Sequence, residues 1–184
     1  QSADKLEAHL NEVLGKLEMK SAEISVQIDS LETPAERGMD RVSFLMKANK
    51  GHDFLPLEKS ASGGELSRVM LALKSVHSGR QAMPTLILDE IDSGVSGKVA
   101  NAMAALLHDM GLNRQLICIT HLPQIAARGQ AHFRVSKKEH QDKTVTQMEL
   151  LDRDGRLYEI AGMLSGFDTT DAAIENARTL MHLN

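Results

Sequence analysis

Two adjacent acids, Asp89 and Glu90, follow directly on the apolar run Thr85-Leu86-Ile87-Leu88. Acids placed at the carboxyl end of a buried strand occupy the edge where open α/β sheets bind ligands. One carboxylate there can hold Mg²⁺, usually through water, while its neighbour orients or deprotonates an attacking water. The plainer alternative is a strand leaving the core into a loop of solvated acids. Thr120-His121 ends a second apolar run, Leu116-Ile117-Cys118-Ile119. If the two runs are parallel strands, His121 shares an edge with Asp89 and Glu90 and becomes a candidate phosphate sensor. Otherwise it is a structural histidine. Cys118 should face the core, which argues against a metal site built from cysteine and histidine.

Ser62-Gly63-Gly64-Glu65 opens a helical pattern and has the S-x-x-E spacing of a capping box. Capping leaves the glycines unexplained, because each costs about 1 kcal/mol against alanine inside a helix. Glycines at a helix start let a phosphate approach bare amides, where the helix dipole also favours negative charge. Directly after the paired acids comes Ile91-Asp92-Ser93-Gly94-Val95-Ser96-Gly97. This is either a simple loop before a helix starting near Lys98 or a flexible surface that meets a partner across a nucleotide. A G-x-x-x-x-G-K-[ST] loop is absent, as Gly15-Lys16 and Gly97-Lys98 lack its other members.

The elements that must position these groups can be read from periodicity. Leu66, Val69, Met70, Leu73 and Val76 mark one face of a helix after the glycines, and Val99, Met103, Leu106, Leu107 and Met110 mark another. A helix between the runs Thr85–Leu88 and Leu116–Ile119 makes a strand, crossover and strand, with both runs apolar enough to be buried parallel strands. Upstream, Ala22, Ile24, Val26 and Ile28 alternate with polar residues, as do Val42, Phe44 and Met46, so two antiparallel strands are expected around a turn at Thr33-Pro34 and Gly38. Downstream, Phe133–Val135 and Thr144–Leu151 read as strands, Asp154-Gly155 as a turn, and Tyr158–Leu164 and Asp171–Leu183 as helices. The opening residues Leu6, Leu10, Val13 and Leu17 alternate steps of four and three, which fits either a coiled-coil seam or a helix packed on its own domain.

With 184 residues and 42% hydrophobic content, one globular domain is expected. The net charge of -4 gives no bulk pull toward nucleic acid, and 3% aromatics without tryptophan argue against a stacking platform for single strands. Lys137-Lys138 is a possible basic contact, although two loop lysines are more often just solvated. A single cysteine excludes an internal disulfide and fits a reducing cytoplasm. No apolar run approaches the ~20 residues that span a membrane. The start at Gln1 suggests a fragment.

The order of these motifs resembles the ABC ATPase superfamily, with Ser62–Glu65 as signature, Thr85–Glu90 as Walker B, Ile91–Gly97 as D-loop and His121 as switch histidine. Within it the sequence is similar to the SMC-like RecN family of recombination and repair ATPases. The telling stretches are Ala61–Arg68, Leu88–Gly97, Thr120–Ala126 and Glu159–Gly166, although the family would have arginine at Gly162. The resemblance implies an α/β fold: the C-terminal lobe of an ABC/SMC-type head, a mainly parallel sheet with flanking helices, over residues 20–184. Residues 1–19 would be the returning end of a coiled-coil arm.

It also implies a site divided between chains. An N-terminal lobe of the same protein brings Walker A and Mg²⁺–ATP beside Asp89 (metal, through water), Glu90 (base) and His121 (sensor). Ser62, Gly63, Gly64 and Glu65 reach the γ-phosphate of a second, homodimeric head, and Asp92 and Ser93 contact that head. ATP hydrolysis in the complete protein would be coupled to DNA in double-strand break repair, at a cytoplasmic, nucleoid-associated location without membrane contact. The lobe alone should be inactive. An ABC transporter subunit and a non-catalytic DNA-binding scaffold are the alternatives.

Overall fold

The computed structural model describes residues 1–36, 38–76, 84–140, 143–166 and 169–183. Helix α1 (Ser2–Lys16) turns Leu10, Val13 and Leu14 into the core, and Leu17 follows them just beyond its end. On the neighbouring face its polar residues grip the first strand, β1 (Glu23–Ala35). The Asn11 amide donates to the Ile24 carbonyl at 3.0 Å and accepts the Ile24 N–H at 2.8 Å. Glu7 accepts from the Ser25 hydroxyl at 2.9 Å and the Val26 N–H at 2.5 Å. These bonds satisfy the edge of a strand whose other side pairs antiparallel with β2 (Gly38–Lys47). The short β3 (Leu55–Pro56) lies on the far side of β2.

The expected turn at Thr33-Pro34 lies instead inside β1, which continues to Ala35 opposite Gly38. Pro34 falls where the register shifts between Ser30 and Ala35, so its missing N–H removes no ladder bond.

After a one-turn helix, α2 (Leu57–Ser60), comes α3 (Gly63–Val76). Its buried residues are Val69, Leu71, Ala72 and Ser75, while Leu66 and Met70 are exposed. The predicted face is thus rotated. Apolar residues occur nearly all round this helix, and packing against α1 decides which of them are covered. Strands β4 (Thr85–Asp89) and β5 (Gln115–Ile119) pair parallel, from Thr85↔Gln115 to Asp89↔Ile119. Helix α4 (Gly97–Gly111) connects them and buries Ala100, Met103, Ala104, Leu107 and Met110.

Next come α5 (Pro123–Arg128), the antiparallel hairpin β6 (Phe133–His140) and β7 (Lys143–Leu150), then α6 (Arg153–Ser165) and α7 (Asp171–Leu180). Asp154-Gly155 is not a turn but the first turn of α6, capped by Asp152, which accepts the Gly155 N–H at 2.8 Å.

The fold is α/β, but parallel pairing among the described residues is confined to β4 and β5. The expectation of a mainly parallel sheet fails because β1–β2 and β6–β7 are joined by short connections, which only antiparallel strands allow. The main core joins α1, β1, β2, α3, β4 and α4, and a smaller one joins α5, α6 and α7. Helix α5 belongs to both, with Ile125 in the first and Ala127 in the second.

Candidate functional site

The parallel register brings the exits of β4 and β5 side by side, because Asp89 pairs with Ile119 and each strand ends there. Asp89 and Glu90 on one strand and Thr120-His121 on the other therefore share one sheet edge. Asp89 and Glu90 are both exposed, and the His121 side chain is 71% exposed. Glu90 holds a φ of 52°, a left-handed conformation that costs a non-glycine residue about 1 kcal/mol or more. This backbone reversal stops β4 and starts the turn in which Ser93 N–H donates to Glu90 O at 3.3 Å and Val95 N–H to Asp92 O at 3.1 Å.

The loop 91–97 has an outer and an inner side. Ser93, Gly94, Ser96 and Gly97 are exposed, whereas Val95 and Asp92 are buried. Asp92 is only 1% exposed. Its Oδ2 accepts the Thr120 hydroxyl and, at 3.2 Å, the His121 N–H, and lies 3.6 Å from His121 Nδ1. Thr120 Oγ1 in turn accepts the Leu122 N–H at 3.0 Å. The expected contact of Asp92 with a second head does not fit this burial: Thr120 and His121, distant in the chain, draw the carboxylate beneath a loop that reads as solvated. Cys118 is half-buried against the main core as expected, and burial, then the Asp92 charge, push its thiol up to about 11.

The glycine-rich start of α3 abuts the same loop. A Cβ on Gly64 would lie 3.7 Å from Ser93 O and 3.9 Å from Gly94 O, an ordinary contact. Glu65 turns back on the helix start, accepting from Ser62 N–H at 2.8 Å and from the Ser62 hydroxyl at 2.7 Å. Those two bonds, the backbone one first, hold the Glu65 carboxyl below its ordinary pKa. Half of the capping box is thus present, and the Gly63 and Gly64 amides lie in the first helical turn, where N–H groups have no intrahelical partner. The structure sets Asp89 and Glu90 beside His121 at the β4 and β5 exits and the α3 start against the loop 91–97, with Asp92 buried beneath that loop.

Among the described residues no three His, Cys, Asp or Glu side chains cluster as a metal cage, and Asp89 offers an exposed carboxylate oxygen, the hard donor type that Mg²⁺ prefers. No helix among the described residues is long and apolar enough to cross a membrane.

No protein-family model matches the sequence. Curated relatives do. The chain is 39% identical over 184 residues to the DNA repair protein RecN of Haemophilus influenzae, covering 100% of itself and 33% of that protein. It is 42% identical over 146 residues to RecN of Bacillus subtilis, covering 79% of itself and 25% of that protein. With RecN of Deinococcus radiodurans the figures are 41% over 181 residues, 98% and 32%. The chain thus spans about a third or less of the length of these relatives.

Among solved structures, the Smc head domain with a coiled coil and joint from Pyrococcus yayanosii superposes with a TM-score of 0.66 at 21% identity, over 85% of this chain and 28% of that one. A chain from work on ATP-driven dimerization and DNA-stimulated activation of SMC ATPases superposes with a TM-score of 0.62 at 19% identity, over 91% of this chain and 96% of that one. At such identities the likeness is one of fold.

Proposed function

Because the chain belongs to the RecN family of DNA repair proteins, we propose that it is the C-terminal lobe of an ATPase head that couples ATP hydrolysis to DNA in double-strand break repair. The observation that carries this reading is the shared edge, where parallel pairing of Asp89 with Ile119 sets Glu90 and His121 on adjacent strand exits. In the proposed site Asp89 would hold Mg²⁺, which when bound would supply charge neutralisation at the phosphates. Glu90, at the left-handed turn that ends β4, accepts the proton of the attacking water. His121 meets the γ-phosphate and reports its presence. Ser62, Gly63 and Gly64 contribute to the γ-phosphate site of a second head of the same kind, with Glu65 bracing that helix start from within. Ser93 presents the loop 91–97 to the second head, and Asp92 braces it from below.

The phosphate-cradling loop is proposed to come from an N-terminal lobe. Exposed apolar side chains on one face of β4 and β5 support this, since Ile87 is 62%, Ile117 43% and Ile119 55% exposed. Residues 1–19 are proposed as the seat of a coiled-coil arm, whose seam residues Leu10, Val13 and Leu17 here meet the head core. A cytoplasmic, nucleoid-associated location goes with this function. DNA repair relatives do not favour a transporter subunit.

The test is reconstitution. This chain alone should neither bind ATP tightly nor turn it over, and adding the N-terminal lobe should restore turnover. Glu90→Gln should then lower kcat by at least ~100-fold, the lower end of what a general base contributes, while head dimerisation persists. An unchanged rate in that variant would remove Glu90 from the role of base.

A further inference from the structure

The Asp92 carboxylate is an expensive group to place where it is. It is 1% exposed, in a loop whose neighbouring residues are mostly solvated, and Oδ1 has no hydrogen-bond partner among the described residues. A buried charge that is only half satisfied costs stability, so fold maintenance alone does not account for it. Its bonded oxygen, however, is held at the β5 exit, where it accepts from the Thr120 hydroxyl and the His121 N–H and lies 3.6 Å from His121 Nδ1. The carboxylate thus pins the backbone at His121 and places a negative charge beside one face of its ring, which favours one ring orientation. The imidazole is otherwise largely free, at 71% exposure.

We propose that Asp92 and Thr120 form a latch that orients the His121 ring for its encounter with the γ-phosphate, making both of them positioning residues for hydrolysis. The inference rests on the ATPase reading above and adds a connection within one head. Asp92 and Ser93 are consecutive, so pressure on the outer side of the loop 91–97 displaces the carboxylate that holds His121. Engagement of a second head at this loop is thereby transmitted to the sensor by a single side chain. Thr120 completes the latch from the other strand: it donates to Asp92 and accepts from Leu122, which fixes the backbone on both sides of the histidine.

The experiment uses the full-length protein and steady-state ATP hydrolysis. Thr120→Val replaces the hydroxyl by a methyl of the same shape and should lower kcat roughly 10- to 100-fold, the cost of a mispositioned catalytic group. KM for ATP should hardly move, whereas the melting temperature should fall, because buried Asp92 and the Leu122 N–H each lose a partner. Thr120→Ser, which keeps the hydroxyl, should recover most of the rate, and Asp92→Asn should resemble Thr120→Val. In a His121→Ala background the Thr120→Val change should cost nothing further, because there is no ring left to orient. Wild-type kcat in Thr120→Val, or an equal loss with and without His121, would overturn the latch while leaving the ATPase assignment standing. A wild-type protein that fails to hydrolyse ATP would overturn the assignment and the latch together.

Discussion

At the scale of single residues, the same short motif performs two tasks. Ser62 and Glu65 close on each other at the start of α3, and Gly63 and Gly64 leave that start accessible. Glu65 is held as a carboxylate by Ser62, with its pKa below the ordinary 4.5. Its contribution to stability is therefore in place above pH 4.5 and is lost as acid carries the group through its lower folded pKa. Glu65→Gln should lower stability at neutral pH by about 1 kcal/mol or less, because the group is partly exposed and screened. Urea unfolding measured across pH should see that difference shrink below the ordinary glutamate range. A difference independent of pH would mean that the charge plays no part in the cap. The spacing of Ser62 and Glu65 was enough to read this bond from sequence. The burial of Asp92 was not, because it depends on Thr120 and His121, which are distant in the chain and near only after folding.

At the scale of elements, local pattern and tertiary context contribute unequally. Helix α6 contains Gly162, where the family resemblance leads one to expect arginine, and a Cβ there would meet no atom within 4 Å. A helical glycine with open space above it is a cost without steric purpose. Gly162→Ala should raise stability by up to about 1 kcal/mol, seen as a higher denaturation midpoint with unchanged slope. A loss of stability would show that the backbone at 162 is constrained in a way the open space does not reveal. Helix α3 gives the contrasting case. Its existence followed from periodicity, but its buried face did not, since Leu66 and Met70 fit the helical stripe as well as Leu71 and Ala72. Strand type divides similarly. An α4 crossover made β4 and β5 parallel, while the short connections of β1–β2 and β6–β7 made those pairs antiparallel.

At the scale of the whole molecule, the open side of the β4–β5 pair stands out. These strands read as wholly buried, and Leu86 and Leu88 are, but Ile87, Ile117 and Ile119 face outward. The hairpin β6–β7 exposes Phe133, Val135, Val145, Met148 and Leu150 as well. Exposed apolar faces of this kind are where another body or a ligand can dock. If the N-terminal lobe covers the β4–β5 face, Ile87→Lys and Ile119→Lys should each weaken lobe association by roughly 10-fold or more. In the isolated chain the same changes should shift stability by no more than about 0.5 kcal/mol, as expected at exposed positions. Calorimetric titration of one lobe into the other measures the first effect, and denaturation of this chain the second. Undiminished association would place the N-terminal lobe elsewhere.

The sequence by itself determined what depends on short range: the apolar strands before Asp89-Glu90 and Thr120-His121, the capped glycine start of α3, and the motif order that carries the family resemblance. Those features are encoded in residues a few positions apart, where periodicity, capping and turn chemistry act. Only the tertiary structure decided the register of the expected parallel pair β4–β5, which aligns Asp89 with Ile119. It alone turned α1 against the core, rotated α3, and sank Asp92 beneath a loop that looks solvated. The reason is the same in each case. Which apolar residue is covered, and which carboxylate is taken out of water, is settled by the element that packs against it, and that element lies far away along the chain.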